Sequence, residues 1–364
     1  MAINKSLLDR VKKASTIKES EILADSKFFS AKDLVTTPIP MLNAAQSGAL
    51  DGGFASGLTV WAGPSKHFKT NFLLANLAAY LEKYPDSIAI FYDSEFGTPQ
   101  GYFKSFGIDT NRILHVPITD VEQLKFDIMQ QLQEIKRGDR VFIAIDSIGN
   151  LASKKEVEDA LEGSSKADMT RAKQLKSLFR MITPYFTIKD IPCHVVNHTY
   201  MTQEMYSKAV VSGGTGIYYS ADNIYIIGRQ QDKDGTELLG YNFIINVEKS
   251  RYVKEKSKIP ICVSFDRGIS KWSGLLDLAL EFGIVTKPKL GWYTRPGIEG
   301  DKNWRIKDTD SKEFWIPILT KTTFKDQVRD HFQLSTSEMI ARDEELSIDV
   351  PEAYDDEDAD AGEA

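Results

Sequence analysis

Cysteine is scarce in this chain, and long apolar runs are missing. The 364 residues include two cysteines, Cys193 and Cys262, and five histidines, which excludes a disulfide scaffold and a cysteine-rich zinc module. No apolar segment approaches the roughly 18 residues of a membrane-spanning helix. The first residues contain no apolar stretch like that of a signal peptide. We therefore expect a protein of the reducing cytoplasm with no membrane partner.

The composition is that of a globular protein. Hydrophobic residues make up 42% of the chain and charged residues 27%, which is sufficient for a sizeable core. The length of 364 residues exceeds that of one ordinary domain, roughly 100 to 200 residues. We therefore expect either one large core with appendages or two domains.

Charge is distributed unevenly along the sequence. The formal net charge is −7, but residues 343–364 contain eleven acids and no lysine or arginine. Without those eleven charges the remainder of the chain carries +4. The pattern predicts a mildly basic body followed by a disordered acidic tail.

Apolar patterning divides the chain into four parts. Residues 1–36 predict an N-terminal arm of one or two amphipathic helices. Residues 37–270 alternate strand and helix patterns and end on strands without intervening helices. This predicts an α/β core with a mixed, mostly parallel sheet and flanking helices. Residues 271–342 hold four of the five tryptophans and predict a small α+β domain, and the tail occupies 343–364.

Local signals predict the ends of individual elements. Thr98 followed by Pro99 predicts a helix over 98–106 with Thr98 as N-cap and Pro99 at the first helical position. The sequence DKDG at 232–235 predicts a turn between antiparallel strands.

A short segment between a predicted strand and a predicted helix is similar to the phosphate-binding loop G-x-x-x-x-G-K-[ST]. Its residues are Gly63, Pro64, Ser65, Lys66, His67, Phe68, Lys69 and Thr70. In such a loop, N–H groups wrap phosphate oxygens, Lys69 reaches the β and γ phosphates, and Thr70 ligates Mg²⁺. Phe68 replaces the second glycine and must therefore adopt a compatible φ. The alternative is an ordinary strand–turn–helix.

Two further predicted strands lead to acidic residues. The strand at 141–146 ends in Asp146, the pattern of an acid that binds Mg²⁺ through water. Glu95 follows the strand at 88–93, where a carboxylate can deprotonate an attacking water. Asp93, nearer the strand, is predicted to be structural. Alone, either acid is also consistent with a buried strand end or a solvated loop charge.

The order of these segments resembles the RecA-like recombinases, and particularly the UvsX-type strand-exchange proteins of tailed phages. The similar segments are GPSKHFKT, FYDSEFG, FIAIDSIGNLASKKE, NHTYMTQEM, SGGTG and NVEKSR. The resemblance covers residues 15–335. It implies a RecA-like P-loop ATPase core, with ATP and Mg²⁺ as cofactors, that forms a helical filament on single-stranded DNA and invades a homologous duplex. It further implies a recombination mediator and a single-strand-binding protein as partners, in the host cytoplasm if a phage encodes the chain.

The resemblance also implies which residues contact DNA. Residues 149–167 resemble the first DNA-binding loop, the following helix carries basic residues seven positions apart, and residues 199–216 resemble the second loop. The predicted contacts are Lys154, Lys155, Lys166, Lys173, Arg180, Lys208, Gly213 and Gly214. Moderate basicity predicts binding of the nucleic-acid backbone rather than base reading. For the basic helix, a solvated face is the alternative.

Further nucleotide-site roles follow from the resemblance alone. His198 takes the place of a glutamine that senses the γ-phosphate, and Tyr102 stacks on adenine. Lys249 and Arg251 reach the ATP of a neighbouring subunit and act there with its Glu95 and Lys69. The alternatives are a structural hydrogen bond for His198, a helix-face tyrosine, and two solvated cations.

Two other functions share the nucleotide motifs. One is a hexameric DNA helicase with a RecA-like core. The other is an ATP-gated protein that coats single-stranded DNA with little hydrolysis because Phe68 distorts the loop. Open filaments, closed rings and DNA-stimulated ATPase activity distinguish these from strand exchange.

Deletion of residues 343–364 is predicted to tighten DNA binding and to speed duplex capture. A tethered polyanion competes with DNA for the basic residues of the body, and this competition weakens with salt and Mg²⁺ over a Debye length of about 10 Å at 0.1 M. The measurement is a titration of full-length and truncated protein with duplex and single-stranded DNA at several Mg²⁺ concentrations. Equal affinities throughout would reduce the tail to a solubility segment.

Overall fold

The computed structural model describes residues 5–17, 19–26, 33–163, 170–202, 208–300 and 302–334. The described strands, in chain order, are β1 Gly57–Ala62, β2 Ile88–Asp93, β3 Ile113–Pro117, β4 Val141–Asp146, β5 Pro192–Asn197, β6 Thr199–Met201, β7 Ala209–Val211, β8 Asn223–Asp234, β9 Glu237–Lys249, β10 Lys258–Ser264, β11 Gly268–Ile269, β12 Thr286–Lys289, β13 Trp292–Thr294 and β14 Trp304–Arg305. The described helices are α1 Lys5–Ala14, α2 Pro40–Ser47, α3 Lys69–Lys83, α4 Gln100–Ser105, α5 Val121–Glu134, α6 Lys154–Leu161, α7 Thr170–Lys189, α8 Thr215–Ser220, α9 Leu275–Glu281, α10 Pro296–Glu299, α11 Lys312–Lys321 and α12 Phe324–Phe332.

One sheet of nine strands organises the molecule, in the order β11-β10-β9-β8-β1-β5-β4-β2-β3. The six strands from β8 to β3 run parallel. Strands β9, β10 and β11 continue the sheet antiparallel. The predicted mostly parallel sheet with an antiparallel extension is confirmed. Because the parallel strands share a direction, their carboxyl ends meet at one edge, where ligands bind in such sheets.

Helices cover both faces of this sheet. Successive strand residues point to opposite faces, so Trp61 packs with α2 and α3 in one apolar cluster. Its neighbour Val60 packs with α5, α7 and α8 in the other. In β4, Phe142 and Ile143 are divided in the same way. The phosphate-loop helix α3 and the basic helix α7 therefore lie on opposite faces.

The C-terminal part contains helices and a small three-stranded sheet, β12-β13-β14. Phe314, Trp315 and Phe324 are at most 1% exposed. They belong to the same apolar cluster as Met41 of α2. The predicted α+β character of this part is confirmed.

The N-terminal arm is described only in part. Helix α1 has no buried residue, and a single 3-10 turn follows at Leu23–Asp25. The acidic tail lies outside the described residues. Among those that the structure does describe, no helix is long and apolar enough to cross a membrane.

Two predicted element ends are wrong. Helix α4 starts at Gln100, and Pro99 is its N-cap with φ −67° and ψ 159°. An extended ψ at Pro99 keeps both it and Thr98 outside the helix. The predicted turn at 232–235 is also displaced, because β8 continues to Asp234 and β9 begins at Glu237. Backbone hydrogen bonds between the two strands of a hairpin continue through polar residues. The point where apolar alternation stops therefore does not mark the end of the strand.

The sheet core contains a fully buried histidine, His194 in β5. Its Nδ1 accepts a hydrogen bond from Trp61 Nε1 at 3.3 Å, and the rings of Phe54 and Phe142 each lie 4.9 Å away. Burial lowers the pKa of His194 to about 3. Between about pH 3 and pH 6.5, the imidazole is therefore neutral in the folded protein and protonated in the unfolded chain.

His194 is predicted to make the fold acid-sensitive. A histidine with a depressed folded-state pKa costs stability as pH falls below its unfolded value of about 6.5, by about 1.4 kcal/mol per pH unit. His194→Gln retains an acceptor for Trp61 but does not titrate. Urea unfolding of both proteins between pH 7 and 5 measures the difference, and the variant should lose about 2 kcal/mol less. Identical pH slopes would contradict this.

Candidate active site

The predicted phosphate loop, residues 63–70, connects the carboxyl end of β1 to the start of α3. Its residues from Ser65 to Thr70 line a cavity of about 360 Å³. Glu95, Tyr102, Asp146 and His198 line the same cavity. The structure therefore brings together most of the predicted nucleotide residues. Gly63 and Pro64 form the start of the loop and are not part of this lining.

Phe68, the departure from the glycine pattern, adopts a left-handed backbone with φ 62° and ψ 15°. A non-glycine residue there costs about 1 kcal/mol. Its ring stacks on Phe243 at 4.7 Å and meets Phe72 edge-on at 5.4 Å. Such aromatic pairs each contribute about 1 kcal/mol. Packing therefore offsets the backbone strain, and the loop keeps a glycine-like shape.

Lys69 lies at the start of α3 and is 6% exposed. Its Nζ donates a hydrogen bond to the carbonyl oxygen of Pro64 at 2.8 Å. Burial lowers the pKa of Lys69, while the charges of Glu95 and Asp146 oppose that shift. A cation held in this way is available to phosphate oxygens entering the cavity.

Asp146 and Thr70 form the candidate Mg²⁺ site. Thr70 Oγ1 donates to Asp146 Oδ2 at 2.8 Å. Asp146 is 3% exposed and its Oδ1 has no partner. Burial raises the pKa of Asp146 to about 7. An unpartnered carboxylate oxygen beside a hydroxyl fits Mg²⁺, which takes oxygen ligands and retains water. No group of three His, Cys, Asp or Glu side chains that could hold a metal ion occurs among the described residues.

Glu95 receives three hydrogen bonds at one oxygen, Oε1. Ser147 Oγ lies at 2.5 Å, His198 Nε2 at 3.1 Å and Asn150 Nδ2 at 3.4 Å. The His198 hydrogen bond is the largest cause that lowers the pKa of Glu95, so the carboxylate is ionised at neutral pH. Neither Ser147 nor Asn150 was predicted, although both closely follow Asp146 in the sequence.

Asp93 fixes the turn that carries Glu95. Its Oδ1 accepts the backbone N–H groups of Glu95 at 3.0 Å and Phe96 at 2.7 Å. Asp93 is 5% exposed, and His115 Nε2 lies 3.2 Å from its other oxygen. These contacts are those of a structural carboxylate that positions the neighbouring acid.

His198 connects the cavity to the start of the second predicted DNA loop. Its carbonyl oxygen accepts the N–H of Ser212 at 2.9 Å, and Asn197 Nδ2 donates to the Ser212 carbonyl at 2.7 Å. A Cβ added at Gly149 would lie 2.2 Å from the His198 ring. The ring is therefore held between Glu95 and the beginnings of both predicted loops.

Tyr102 lies on α4 at the edge of the cavity and is 36% exposed. Its hydroxyl accepts a hydrogen bond from the Asn71 side chain. The ring remains available for stacking against a flat ligand.

Lys249 and Arg251 lie away from this cavity. Lys249 Nζ donates to the carbonyl of Tyr218 at 2.8 Å. Arg251 pairs with Asp222 at 2.5 Å, and Asp222 also accepts the N–H of Leu58 at the start of β1. The phosphate loop follows the opposite end of β1. Within one subunit these two cations are therefore separated from the predicted phosphate site.

The first predicted DNA loop contains a helix, α6. Ser153 and Glu156 form a capping box at its start, and the S-x-x-E spacing is the sequence signal that indicates this helix. Lys155 pairs with Asp159 at 2.8 Å, and Lys154 lies 3.9 Å from Glu158. Lys166 lies outside the described residues.

Helix α7 supports both predicted loops. Lys173 and Arg180 are exposed on it. Arg171, in contrast, donates to three carbonyls at the start of the first predicted loop, those of Ile148, Gly149 and Leu151. Arg171 is thus a structural residue, and it was not among the predicted DNA contacts.

The second predicted loop begins as the β6–β7 hairpin, and α8 starts at Thr215. Lys208 is exposed and its N–H donates to Thr202 Oγ1 at 3.0 Å. Gly213 and Gly214 adopt φ of 94° and 77°. A Cβ at Gly213 would lie 3.0 Å from Leu175 of α7. A Cβ at Gly214 would lie 3.9 Å from Ala172, so both glycines lie next to α7, the helix that carries Lys173 and Arg180.

A strand, a phosphate loop and a helix, with an acid at the end of another parallel strand, define the phosphate-loop class of α/β nucleotide-binding proteins. Family comparisons narrow this class. The model of the RecA N-terminal domain matches residues 30–270, and that of the C-terminal domain of the bacteriophage T4 recombination and repair protein matches residues 272–328.

Individual relatives agree with these matches. The chain is 53% identical over 336 residues to the recombination and repair protein of Enterobacteria phage T4, covering 90% of this chain and 86% of that protein. It is 28% identical over 255 residues to protein RecA of Synechococcus sp. strain CC9902, covering 68% of this chain and 65% of that protein. It is 26% identical over 273 residues to protein RecA of a Nocardioides species, covering 73% and 76%. The chain belongs to the RecA-like recombinase family, in its UvsX-type branch, and the resemblance noted in the sequence is confirmed.

At most helix positions an alanine variant is more stable than a glycine variant, and at position 68 we predict the opposite order of stability. Both Phe68→Ala and Phe68→Gly lose the aromatic contacts, but only alanine retains the left-handed strain. Phe68→Gly should therefore be more stable than Phe68→Ala by about 1 kcal/mol. Urea unfolding measures both free energies. A more stable alanine variant would show that the left-handed conformation does not persist without the ring.

Proposed function

We propose that this protein is an ATP-dependent DNA strand-exchange recombinase that acts as a helical filament on single-stranded DNA. The observation that carries this proposal is the position of Glu95. Its carboxylate shares a cavity with Lys69, Thr70 and Asp146 and accepts a hydrogen bond from His198. His198 immediately precedes residues 199–216, the segment that resembles a DNA-binding loop. Nucleotide chemistry and DNA contact are thereby linked through one hydrogen bond.

The residues of the cavity support ATP hydrolysis. Lys69 and the N–H groups at the start of α3 would bind the phosphates. Thr70 and Asp146 would hold Mg²⁺, which when bound neutralises charge that develops on the phosphates. Glu95 would orient a water molecule and accept its proton. Ser147 and His198 keep the Glu95 carboxylate ionised and fixed toward the cavity.

The DNA contacts proposed for this chain lie on and beside α7. Lys173, Arg180 and Lys208 are exposed, and cations of this kind bind phosphates without reading bases. Gly213 and Gly214 bring backbone N–H groups of the second segment near the same helix. This arrangement supports binding of a single strand along one surface, with a homologous duplex as the second DNA partner.

Lys249 and Arg251 have their proposed role in the assembled filament, where each would act on a neighbouring subunit. Both lie away from their own subunit's cavity, as expected for cations that act on the ATP of a neighbouring copy. A mediator and a single-strand-binding protein would assist loading in the cytoplasm of the host cell.

Electron microscopy with a slowly hydrolysed ATP analogue and single-stranded DNA tests the proposal. Open helical filaments together with joint-molecule formation from homologous DNA support it. Closed rings that separate strands would indicate a helicase. Filaments that neither hydrolyse ATP nor pair DNA would indicate a coating protein.

Lys69→Ala is predicted to abolish ATP turnover without unfolding the protein, because it removes the cation that binds the β and γ phosphates. ATPase assays of the Mg²⁺-supplied variant measure this loss, with circular dichroism as the control for folding. Unchanged turnover would contradict the assignment of the phosphate site.

Glu95→Gln is predicted to retain ATP binding and filament formation while turnover falls at least about 100-fold, the usual contribution of a general base. Nucleotide binding and hydrolysis are measured on the same preparation. Normal hydrolysis in the variant would show that another acid is the base.

Lys249→Ala and Arg251→Ala are predicted to impair hydrolysis in trans. Mixing either variant with Lys69→Ala subunits should restore activity, because some interfaces then join an intact phosphate loop to intact cations. A mixture of Lys69→Ala and Glu95→Gln is the matched control, since both changes affect the same side of the interface. Absence of rescue in mixed filaments would show that the cations do not act between subunits.

A further inference from the structure

The antiparallel ribbon of β8 and β9 contacts the phosphate loop from outside. Arg229 Nη1 donates a hydrogen bond to the carbonyl oxygen of Lys66 at 3.3 Å. The ring of Phe243 stacks on that of Phe68 at 4.7 Å with 19° between the planes. Lys66 and Phe68 of the loop are thus contacted by side chains from two neighbouring strands.

Register explains why these two side chains act together. Arg229 and Phe243 are direct cross-strand partners, so their side chains leave the same face of the ribbon. Ile227, two residues before Arg229, also faces the loop, since a Cβ added at Gly63 would lie 3.0 Å from its carbonyl oxygen. One face of the ribbon therefore follows the loop from its beginning to its end.

The contacts coincide with the strained positions of the loop. Lys66 and Phe68 have φ of 60° and 62°, in the region that favours glycine. The Arg229 guanidinium also lies over the ring of Tyr241 at 4.8 Å, and Tyr241 lies 6.0 Å from Phe243. The arginine is therefore itself held in place.

We propose that Arg229 and Phe243 are positioning residues that keep the phosphate loop in its nucleotide-binding shape. This inference rests on the proposed ATP site. Neither of the two left-handed positions of the loop, Lys66 and Phe68, is a glycine. The left-handed backbone is therefore strained, and it relaxes to another conformation when a contact from outside the loop is lost. Relaxation turns N–H groups away from the phosphates and lowers the fraction of binding-competent protein, which raises the apparent Kd in proportion.

A double-mutant cycle between positions 229 and 66 tests the proposal. Arg229→Met removes the donor, and Lys66→Gly removes the need for it. Lys66→Ala is the matched background, since it loses the same side chain but retains the left-handed strain. Arg229→Met should raise the Kd of a fluorescent ATP analogue about tenfold in the wild-type and Lys66→Ala backgrounds, and less than about twofold in Lys66→Gly. Arg229→Lys, which retains a donor, should restore part of the affinity.

Lys233→Met is the control for charge. Lys233 is an exposed cation of the same ribbon and has no described contact with the loop, so its loss should leave the Kd unchanged. Equal Kd increases for Lys233→Met and Arg229→Met, or equal effects of Arg229→Met in all three backgrounds, would overturn the proposal.

Hydrogen exchange separates this inference from the proposed function. In nucleotide-free protein, the backbone amides of Gly63 and of residues 65–70 should exchange faster in Arg229→Met than in wild type, whatever nucleotide the cavity takes. A wild-type protein that does not bind ATP would contradict the proposed function, while faster exchange would still support the positioning role. Unchanged exchange would overturn the positioning role even if ATP binds.

Discussion

The proposed nucleotide site depends on a backbone shape that its own residues do not favour. Lys66 and Phe68 both adopt left-handed conformations, which glycine adopts without cost. The shape is therefore stabilised from outside, chiefly by stacking of Phe68 on Phe243 and its contact with Phe72. Because Phe68 is the N-cap of α3, the same packing sets where the helix begins and where Lys69 points.

Two buried charged groups of the cavity, Asp146 and Lys69, lack oppositely charged partners among the described residues. Burial removes part of the solvation of both charged groups. It therefore raises the pKa of Asp146 and lowers that of Lys69. They do not form an ion pair. Lys69 donates to the Pro64 carbonyl, and Asp146 accepts from Thr70. A bound phosphate and a divalent cation would supply the missing interactions, since buried charges are stable only when paired or coordinated.

The sequence predicts those parts that depend on local pattern, and fails where distant contacts decide. The end of β4 at Asp146 agrees with the sequence, because an apolar run ending in an acid is a local signal. The partnership of Ser147 with Glu95 spans 52 residues and depends on β2 and β4 lying side by side. The true end of β8 was missed because hairpin pairing needs no side-chain alternation. The bonds from Arg171 to three backbone carbonyls depend on the fold, and no local pattern indicates them.

Under the proposed function, the same long-range contacts connect the DNA-binding segment to the nucleotide site. His198 has little room to move by itself, because Gly149 approaches its ring and Ser212 is bonded to its carbonyl oxygen. A displacement of the hairpin that begins at Thr199 must therefore shift His198 and alter its hydrogen bond to Glu95. By reciprocity, a nucleotide that changes the Glu95 contacts biases the position of the hairpin by the same free energy. Coupling between the two proposed sites would then pass through His198 at the end of β5.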